Sequence, residues 1–536
     1  MTMSSRHQGK RWYDRLISAL YAISLIIINA ALMLYWNRMN SKLSCPRIAY
    51  ILIFLLAAAL LYLILEKRAG RIRLDPDRLV LILSGLLAVL LVYLCYSYYF
   101  LTGWDVELLL KAARLALSGQ KFDSDILSYL STYPNNRLLI YILEKCLWVN
   151  ARIGFLDPEN GIMVCITLNC LISAATGYLL YRICTQYFSR RTSFLGWLAY
   201  VALICFSPWN TIPYSDTLAL LFPTLIFYLY TEIRQDSAHR YLYIALLCFL
   251  VPIGYAIKPQ ASIVFIAICL YSLLRLISRL ARAVKTGNAS HCLRRAAAAL
   301  CIASLALIAS VSACRYVSDS YERRGLAVYD SRMAFGPYHY LMMGMNPWTS
   351  GLFLRDDVLY SQSFPDVQSR TAAEKQVIRQ RLQDYGAVGY AKLLRNKILL
   401  GFNDGTFSWF DEGDFVIAEA PAKNTAVSSF LKSFYWRDGS RYFIFNSLTQ
   451  LLWAGVLFLC IFARSGRHGI PILKMTLLGV IAFELLFEVR GRYLYANVPI
   501  FILLSLLGAR NLLHLSRRLL QAWRQDHPAF GADAAE

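Results

Sequence analysis

The sequence predicts an all-α polytopic membrane protein with about 12 transmembrane helices, interfacial helices in its first large outer loop and a small, mainly helical extracytoplasmic domain. Three observations carry this expectation. Of 536 residues, 57% are hydrophobic and only 16% charged, an apolar excess that no soluble domain of this size needs for its core. Apolar stretches recur that are long enough, or nearly so, for a hydrocarbon layer of roughly 30 Å. Clusters of Lys and Arg punctuate alternate connections, as retention of cations on the cytoplasmic side requires.

The stretches lie near 15–36, 48–65, 79–100, 162–183, 192–207, 217–232, 241–257, 261–276, 296–316, 443–463, 470–487 and 494–513. Arg6, Lys10, Arg11 and Arg15 precede the first, and Lys67, Arg68, Arg71 and Arg73 follow the second. Arg190 and Arg191, then Arg279, Arg282, Lys285, Arg294 and Arg295, then Arg464 and Arg467 mark later connections on the same side. Both termini are therefore expected in the cytoplasm. This register requires segment 137–155, interrupted by Glu144, Lys145, Asn150 and Arg152, to lie in the outer interface rather than cross.

Five regions follow: an N-terminal hairpin with a basic inner loop (1–78), a membrane module (79–316) with outer loop 101–161, an extracytoplasmic loop or lid domain (317–442), C-terminal membrane helices (443–514) and a cytoplasmic tail (515–536). The net charge of +22 sits largely in the short inner loops, so anionic lipid headgroups, not nucleic acid, are its expected counterpart. Thirteen cysteines lie mostly in or beside the spans, and loop 317–442 has none, which excludes a disulfide framework there. The first apolar stretch is flanked like a span, so no cleavable signal peptide is expected.

The polar chemistry falls on outer connections. The first opens with Gly103-Trp104-Asp105-Val106-Glu107, after which Leu108, Leu109, Ala112, Ala113, Leu115 and Ala116 recur at helical spacing with Lys111 and Arg114 off that face. Asp105 has two compatible readings, a helix cap and a general base for an acceptor hydroxyl at the membrane surface. The same loop ends in Tyr129 and Tyr133-Pro134-Asn135-Asn136-Arg137, where Arg137 either reaches a lipid phosphate or anchors the next helix to headgroups.

A second connection, Ser207 to Asp216, places Tyr214 and Asp216 before a span, where Asp216 would also cap. Lys258, before Pro259, puts one ammonium at the outer boundary, either snorkelling or binding phosphate. Near the C-terminus, Glu484, Glu488, Arg490, Arg492 and Tyr493 lie close to a span, with Glu484 and Glu488 one turn apart and Glu488 and Arg492 an i,i+4 pair. Ionisable groups there are functional candidates, or an internal ion pair. In the long loop, His339 has no companion ligand and reads as a packing or hydrogen-bonding residue, while Asn346 closes an aromatic and glycine-rich run. A helix is expected over 371–398. Asp411, Glu412 and Asp414 form either a divalent cation site or an exposed acidic turn.

In order and sidedness these motifs resemble the GT-C superfamily of integral-membrane glycosyltransferases, particularly the bacterial branch related to protein O-mannosyltransferases and aminoarabinose transferases of lipid A. The resemblance runs from about residue 79 to 513 and rests on Gly103-Trp104-Asp105, Tyr133-Pro134-Asn135-Asn136, Tyr214-Ser215-Asp216, Lys258-Pro259 and Arg492-Tyr493. Two departures stand out: Val106 separates Asp105 from Glu107 where relatives often carry an adjacent Asp-Glu pair, and Asn135 replaces the second proline of Tyr-Pro-Pro. The resemblance implies a multi-pass enzyme of the bacterial plasma membrane that moves a sugar from a polyprenyl-phosphate carrier to an extracytoplasmic glycan, lipid or protein, with inversion. Asp105 and Asp216 would be catalytic, and Lys258, Arg490, Arg492 and Arg137 would bind the donor phosphate. Glu107, Tyr133, Asn135, Asn136 and Tyr214 are candidates for substrate contact, as are His339, Asn346, Glu488 and Tyr493. No resident metal is assigned, although a divalent cation is compatible with the sequence. A transporter or flippase of lipid-linked saccharide, or a polysaccharide polymerase or ligase, is the alternative reading.

Overall fold

A computed structural model describes residues 12–39, 42–68, 75–154, 161–236, 238–286, 289–409, 411, 416–419 and 425–526. The basic residues Arg6, Lys10, Arg11, Arg71 and Arg73, the acidic residues Glu412 and Asp414, and the tail after 526 lie outside them.

The chain is overwhelmingly helical. Its first part runs α1 (Trp12–Leu34), α2 (Arg47–Arg68), α3 (Pro76–Tyr98), α4 (Trp104–Leu117), α5 (Ser124–Thr132), α6 (Asn136–Ile153) and α7 (Ile162–Thr185). Then come α8 (Arg190–Tyr200), which continues into a π-turn over Val201–Cys205, α9 (Ser215–Leu218), α10 (Leu221–Gln235), α11 (Arg240–Ile257), α12 (Ile263–Lys285) and α13 (Ala289–Ser318). The long loop holds α14 (Ser320–Arg323), α15 (Pro337–Gly344), α16 (Arg355–Gln362), α17 (Val367–Phe402) and α18 (Ala426–Tyr435), before α19 (Tyr442–Cys460), α20 (Ile470–Leu486) and α21 (Val498–Asp526).

Among the described residues, 10 segments are long and apolar enough to cross a membrane. Two expected spans are shorter. The α8 helix with its π-turn rises roughly 24 Å and α20 roughly 25 Å, yet both run between the same two ends of the bundle as the longer helices. At the end away from the long loop, Asp14 accepts from Tyr271 (3.0 Å), Asp77 accepts from Tyr181 (2.7 Å) and Arg190 (3.0 Å), and Tyr230 bonds His468 (2.9 Å). At the loop end, Asp216 meets Lys258 and Arg492. The segments from Arg190 to Asp216 and from His468 to Glu488 therefore traverse the bundle.

The α6 helix does not traverse, as its charges led us to expect. Its first residue, Asn136, donates to Tyr129 (2.8 Å), and Asn150 near its other end lies against Gly161, which precedes α7. On α4, Val106, Leu109, Leu110, Ala112, Ala113 and Ala116 are buried while Lys111 and Arg114 are exposed, so Leu108 and Leu115 flank the apolar face rather than centre it. Arg324 joins the two helices, donating to Glu144 of α6 (3.0 Å) and to the Ala116 carbonyl of α4 (2.5 Å). A short strand pair was not anticipated: β1 (Phe100–Thr102) runs antiparallel to β2 (Val416–Glu419), with Phe100 opposite Glu419.

The helix expected over 371–398 extends over 367–402 and bends at Gly386, whose φ of 53° is open to glycine without strain. Its second half enters the bundle beside α1 and α20. There the buried Lys397 donates to the carbonyls of Gly344 (2.9 Å) and Phe487 (2.5 Å), tying loop domain to membrane helix. Burial holds this ammonium down to about 8, against the opposing pull of Glu484 and Glu488. The contact demands glycine at 344, because a Cβ there would lie 2.6 Å from the carbonyl oxygens of Leu486 and Phe487. We expect Gly344→Ala to destabilise the protein by about 1–3 kcal/mol, whereas Gly85→Ala on α3, with open space at that point, should be neutral. Thermal melting in nanodiscs compares the two, and equal melting temperatures would refute the tight junction.

Candidate functional site

Four connections of the loop end deliver ionisable side chains to one place. The first is the entry to α4, where Trp104 adopts a left-handed φ of 69°, a conformation that costs a bulky residue on the order of 1–2 kcal/mol. Its ring lies 5.1 Å from that of Tyr214 and under the Arg492 guanidinium at 4.5 Å, so packing holds the strained backbone. Asp105 follows at once. It does not cap α4, because Gly103 occupies that position without a side-chain bond. Instead its Oδ2 accepts from the Tyr214 hydroxyl at 2.8 Å. Tyr129 also lies within electrostatic reach of Asp105, and Asn136 donates to Tyr129 in turn. The carboxylate is thus oriented by the Tyr214 phenol while remaining half-buried.

Asp216 likewise does not cap its helix. It is 2% exposed and accepts a hydrogen bond from Lys258, and its other oxygen stands 3.9 Å from Nε of Arg492. Lys258 ends α11 in extended backbone, which turns the side chain inward over the ring of Tyr493 at 4.5 Å. The snorkelling reading is overturned, because a buried carboxylate offers the ammonium a counterion that the lipid side lacks.

The C-terminal group differs most from the expected helical spacing. Because α20 stops at Leu486 and residues 487–490 are extended before a 3₁₀ turn over Gly491–Asn497, Glu488 cannot pair with Arg492 across a helical turn. Glu488 accepts from Arg490 (2.7 Å) and Tyr493 (3.1 Å), while Arg492 turns to Asp216. Glu484 also leaves the expected face; it is fully buried and accepts from the backbone N–H of Arg490 (3.4 Å). Burial pushes the Glu488 carboxyl up to about 6, partly opposed by Arg492 and Tyr493. Four carboxyl groups (105, 216, 484 and 488) thus share one region with Lys258, Arg490, Arg492 and Lys397. From above, Tyr340 of α15 comes within electrostatic reach of Asp105, Glu488 and Tyr133.

Other candidates are not brought to the cluster. Arg137 donates to the Leu130 carbonyl (3.2 and 3.3 Å) and lies over Tyr329 at 3.7 Å, where it clamps the turn between α5 and α6. His339 is buried against Phe335 (3.8 Å) and bonds Ser361 (2.8 Å), which donates to Glu374 (2.9 Å), in keeping with a packing role. Asn346 bonds Asp357 (2.8 Å) and accepts from the N–H of Trp348 (3.0 Å) inside the loop domain. Glu107 and Asn135 are exposed, with Asn135 donating to Asn136 (3.3 Å). Asp411 pairs with Lys42 (2.9 Å), and no metal-binding group of His, Cys, Asp or Glu occurs among the described residues.

Sequence reasoning passed over a second polar knot. Lys42 meets Asp404 (3.0 Å) and Asp411, Arg47 donates to Asn403 (3.1 Å), and the Asp404 carboxylate accepts from Thr406, Ser408 and Gln450. Lys42 and Arg47 stand on the side expected to be poor in cations, which was the available signal. For Lys397 the signal was one ammonium inside Leu393-Leu394-Arg395-Asn396-Lys397-Ile398-Leu399-Leu400.

Chemically, the cluster offers a half-buried carboxylate able to take a proton from a hydroxyl, next to cations able to stabilise an anion away from bulk water. Such an arrangement at one end of a helical bundle defines a polytopic integral membrane protein with a charge-balanced interior site. The chain belongs to the family described as conserved hypothetical integral membrane protein, which it matches over residues 9–512. No curated protein and no solved structure matches it.

Removing the shared counterion should be costly. Asp216→Ala leaves Lys258 and Arg492 buried without it, so we expect a loss of about 3–5 kcal/mol, with partial recovery in Asp216→Ala/Lys258→Met. Melting of the three proteins in nanodiscs checks this; a single variant as stable as wild type would remove Asp216 from the framework.

Proposed function

We propose that this protein is a GT-C-type glycosyltransferase that moves a sugar from a polyprenyl-phosphate carrier to an acceptor of the cell envelope. The convergence of Asp105 with Lys258, Arg490 and Arg492 carries the reading, since it sets a proton acceptor beside a phosphate-compatible cationic wall. In this reading twelve segments cross the membrane, both termini are cytoplasmic and the cluster opens on the outer face under the loop domain. The basic connections at the opposite end support that orientation.

The reaction would be a single displacement with inversion. The acceptor hydroxyl gives its proton to Asp105 as its oxygen bonds the anomeric carbon, and the bond from that carbon to the phosphate oxygen breaks. The electron pair leaves on polyprenyl phosphate, whose growing negative charge the cations offset. Lys258 and Arg492 are held ready by Asp216, which acts here as a positioning residue. Arg490 is held by Glu488, and Tyr133 and Tyr340 border the site as sugar contacts. Acceptor class, whether glycan, glycolipid or protein, is set by residues around this cluster and in the loop domain.

The test is turnover of a panel of radiolabelled polyprenyl-phosphate monosaccharides by the full-length protein in nanodiscs. We expect one donor to be consumed and Asp105→Asn to lower its turnover by about 10²–10⁴-fold without loss of donor binding. Binding without turnover, even with candidate acceptors present, would favour a transporter of lipid-linked saccharide, and consumption only of oligosaccharide donors would favour a polymerase or ligase. Lys258→Ala should weaken donor binding; unchanged affinity would refute its phosphate role.

A pH dependence follows from Glu488, whose carboxyl sits at about 6. Above that value it is ionised and holds Arg490; below it the guanidinium is released toward phosphate. Donor affinity should therefore rise as pH falls from 7 to 5, and Glu488→Gln should bind tightly at both values, as read by equilibrium binding of a fluorescent lipid phosphate-sugar. A pH-independent wild type would refute the competition.

A further inference from the structure

The loop domain holds a cavity that the charge cluster does not use. It measures about 140 Å³ and is lined by Asp330 and Arg332 of a short 3₁₀ turn, by Gln362, Phe364 and Pro365 at and after the end of α16, and by Arg370 of α17. Arg332, Gln362 and Pro365 are exposed, so the cavity opens to water. Its wall is nonetheless fixed. Arg370 is 3% exposed and donates to the carbonyls of Met333 (2.8 Å), Ala334 (3.1 Å) and Arg332. Both oxygens of Asp330 accept from the Arg332 guanidinium (2.9 and 2.8 Å), and the Asp330 N–H donates to Ser131 of α5 (3.0 Å). The Gln362 amide has no hydrogen-bond partner among the described residues.

Size and lining together narrow the ligand. A cavity of about 150 Å³ admits one benzene ring, so this one has room for a single six-membered ring with its substituents toward water. Phe364 and Pro365 supply apolar surface for the C–H side of such a ring, while the free amide and the Asp330–Arg332 fork supply donors and acceptors for hydroxyls. Arg332 is already neutralised by Asp330, and Glu374 lies within electrostatic reach of Arg370, so the cavity does not call for an anion. The cavity also adjoins the cluster. The Arg370 guanidinium lies over the ring of Phe335 at 5.7 Å, and that ring meets Tyr133 at 5.5 Å.

We propose that this cavity binds one neutral pyranose ring of the acceptor, which makes the acceptor a sugar-bearing molecule rather than an unmodified protein. Phe364 packs against the ring, and Gln362 with the Asp330–Arg332 fork bonds its hydroxyls. Arg370 is a positioning residue that holds the turn carrying the fork. Assignment of the ring to the acceptor rests on the sugar-transfer reading above; binding of a saccharide by the cavity does not.

The experiment titrates neutral methyl hexopyranosides and methyl uronides into the full-length protein in nanodiscs and reads binding by saturation-transfer NMR. We expect a neutral glycoside to bind, Phe364→Ala and Gln362→Ala each to weaken it by about tenfold at unchanged melting temperature, and Asp105→Asn to leave it intact. No bound glycoside, a preference for uronides, or affinity that survives both Phe364→Ala and Gln362→Ala would overturn the proposal. Once a glycoside binds, the same headgroup on diacylglycerol in the disc identifies the source: competition supports a glycolipid acceptor, and an unchanged signal supports a glycan reached from water. Phe364-dependent binding without any sugar transfer would uphold the cavity and remove the transferase, whereas transfer without such binding would do the reverse.

Discussion

Mutual neutralisation of buried charge is the constraint on which the rest of this structure depends. An ionised side chain within an apolar bundle is tolerated only beside an opposite charge and hydrogen-bond donors. Asp216, Lys258 and Arg492 meet that condition only in each other's presence, although they come from three separate connections. Their pairing obliges the ends of α8, α11 and α20 to stand together. Lys397 extends the same logic to the loop domain by donating hydrogen bonds to carbonyls that a finished helix end leaves unpaired.

The site is made from interrupted helices. A π-turn closes α8, a break separates α9 from α10, α11 ends in extended backbone at Lys258, and α20 gives way to an extended stretch and a 3₁₀ turn. Each interruption turns a side chain across the bundle rather than along it. Glu488 and Arg492 illustrate the effect, since continuous helix would have paired them with each other and left Asp216 with one cation fewer.

The all-α architecture and the order of the apolar segments were legible because hydrophobic length and basic clusters are local properties. So was the failure of α6 to run the length of the bundle, since its internal charges disfavour crossing. Asp105, Asp216, Lys258, Arg490 and Arg492 were legible as candidates for the same reason: charges at span boundaries are conspicuous. Their partners were not, because pairing depends on which ends meet and on backbone breaks that periodicity does not reveal. The roles considered for Arg137 and Asn346 failed to separate a polar residue facing a ligand from one satisfying its own turn. The strand pair of Phe100 and Glu419 joins residues too distant for any window to relate.

The knot around Lys42, Arg47, Asn403 and Asp404 bears on biogenesis. The first hairpin makes its principal contacts with elements that are synthesised last: Tyr21 donates to Cys460, Asn29 to Leu457, and α1 packs on α20. A ribosome feeding this chain into a membrane therefore releases α1 and α2 long before their partners exist. They must wait in lipid, with Lys42 and Arg47 solvated near the surface, until residues 403–411 arrive to receive them. Completion of the fold is thus a late, C-terminal event, and a chain truncated before α17 would leave its first two helices without their principal partners.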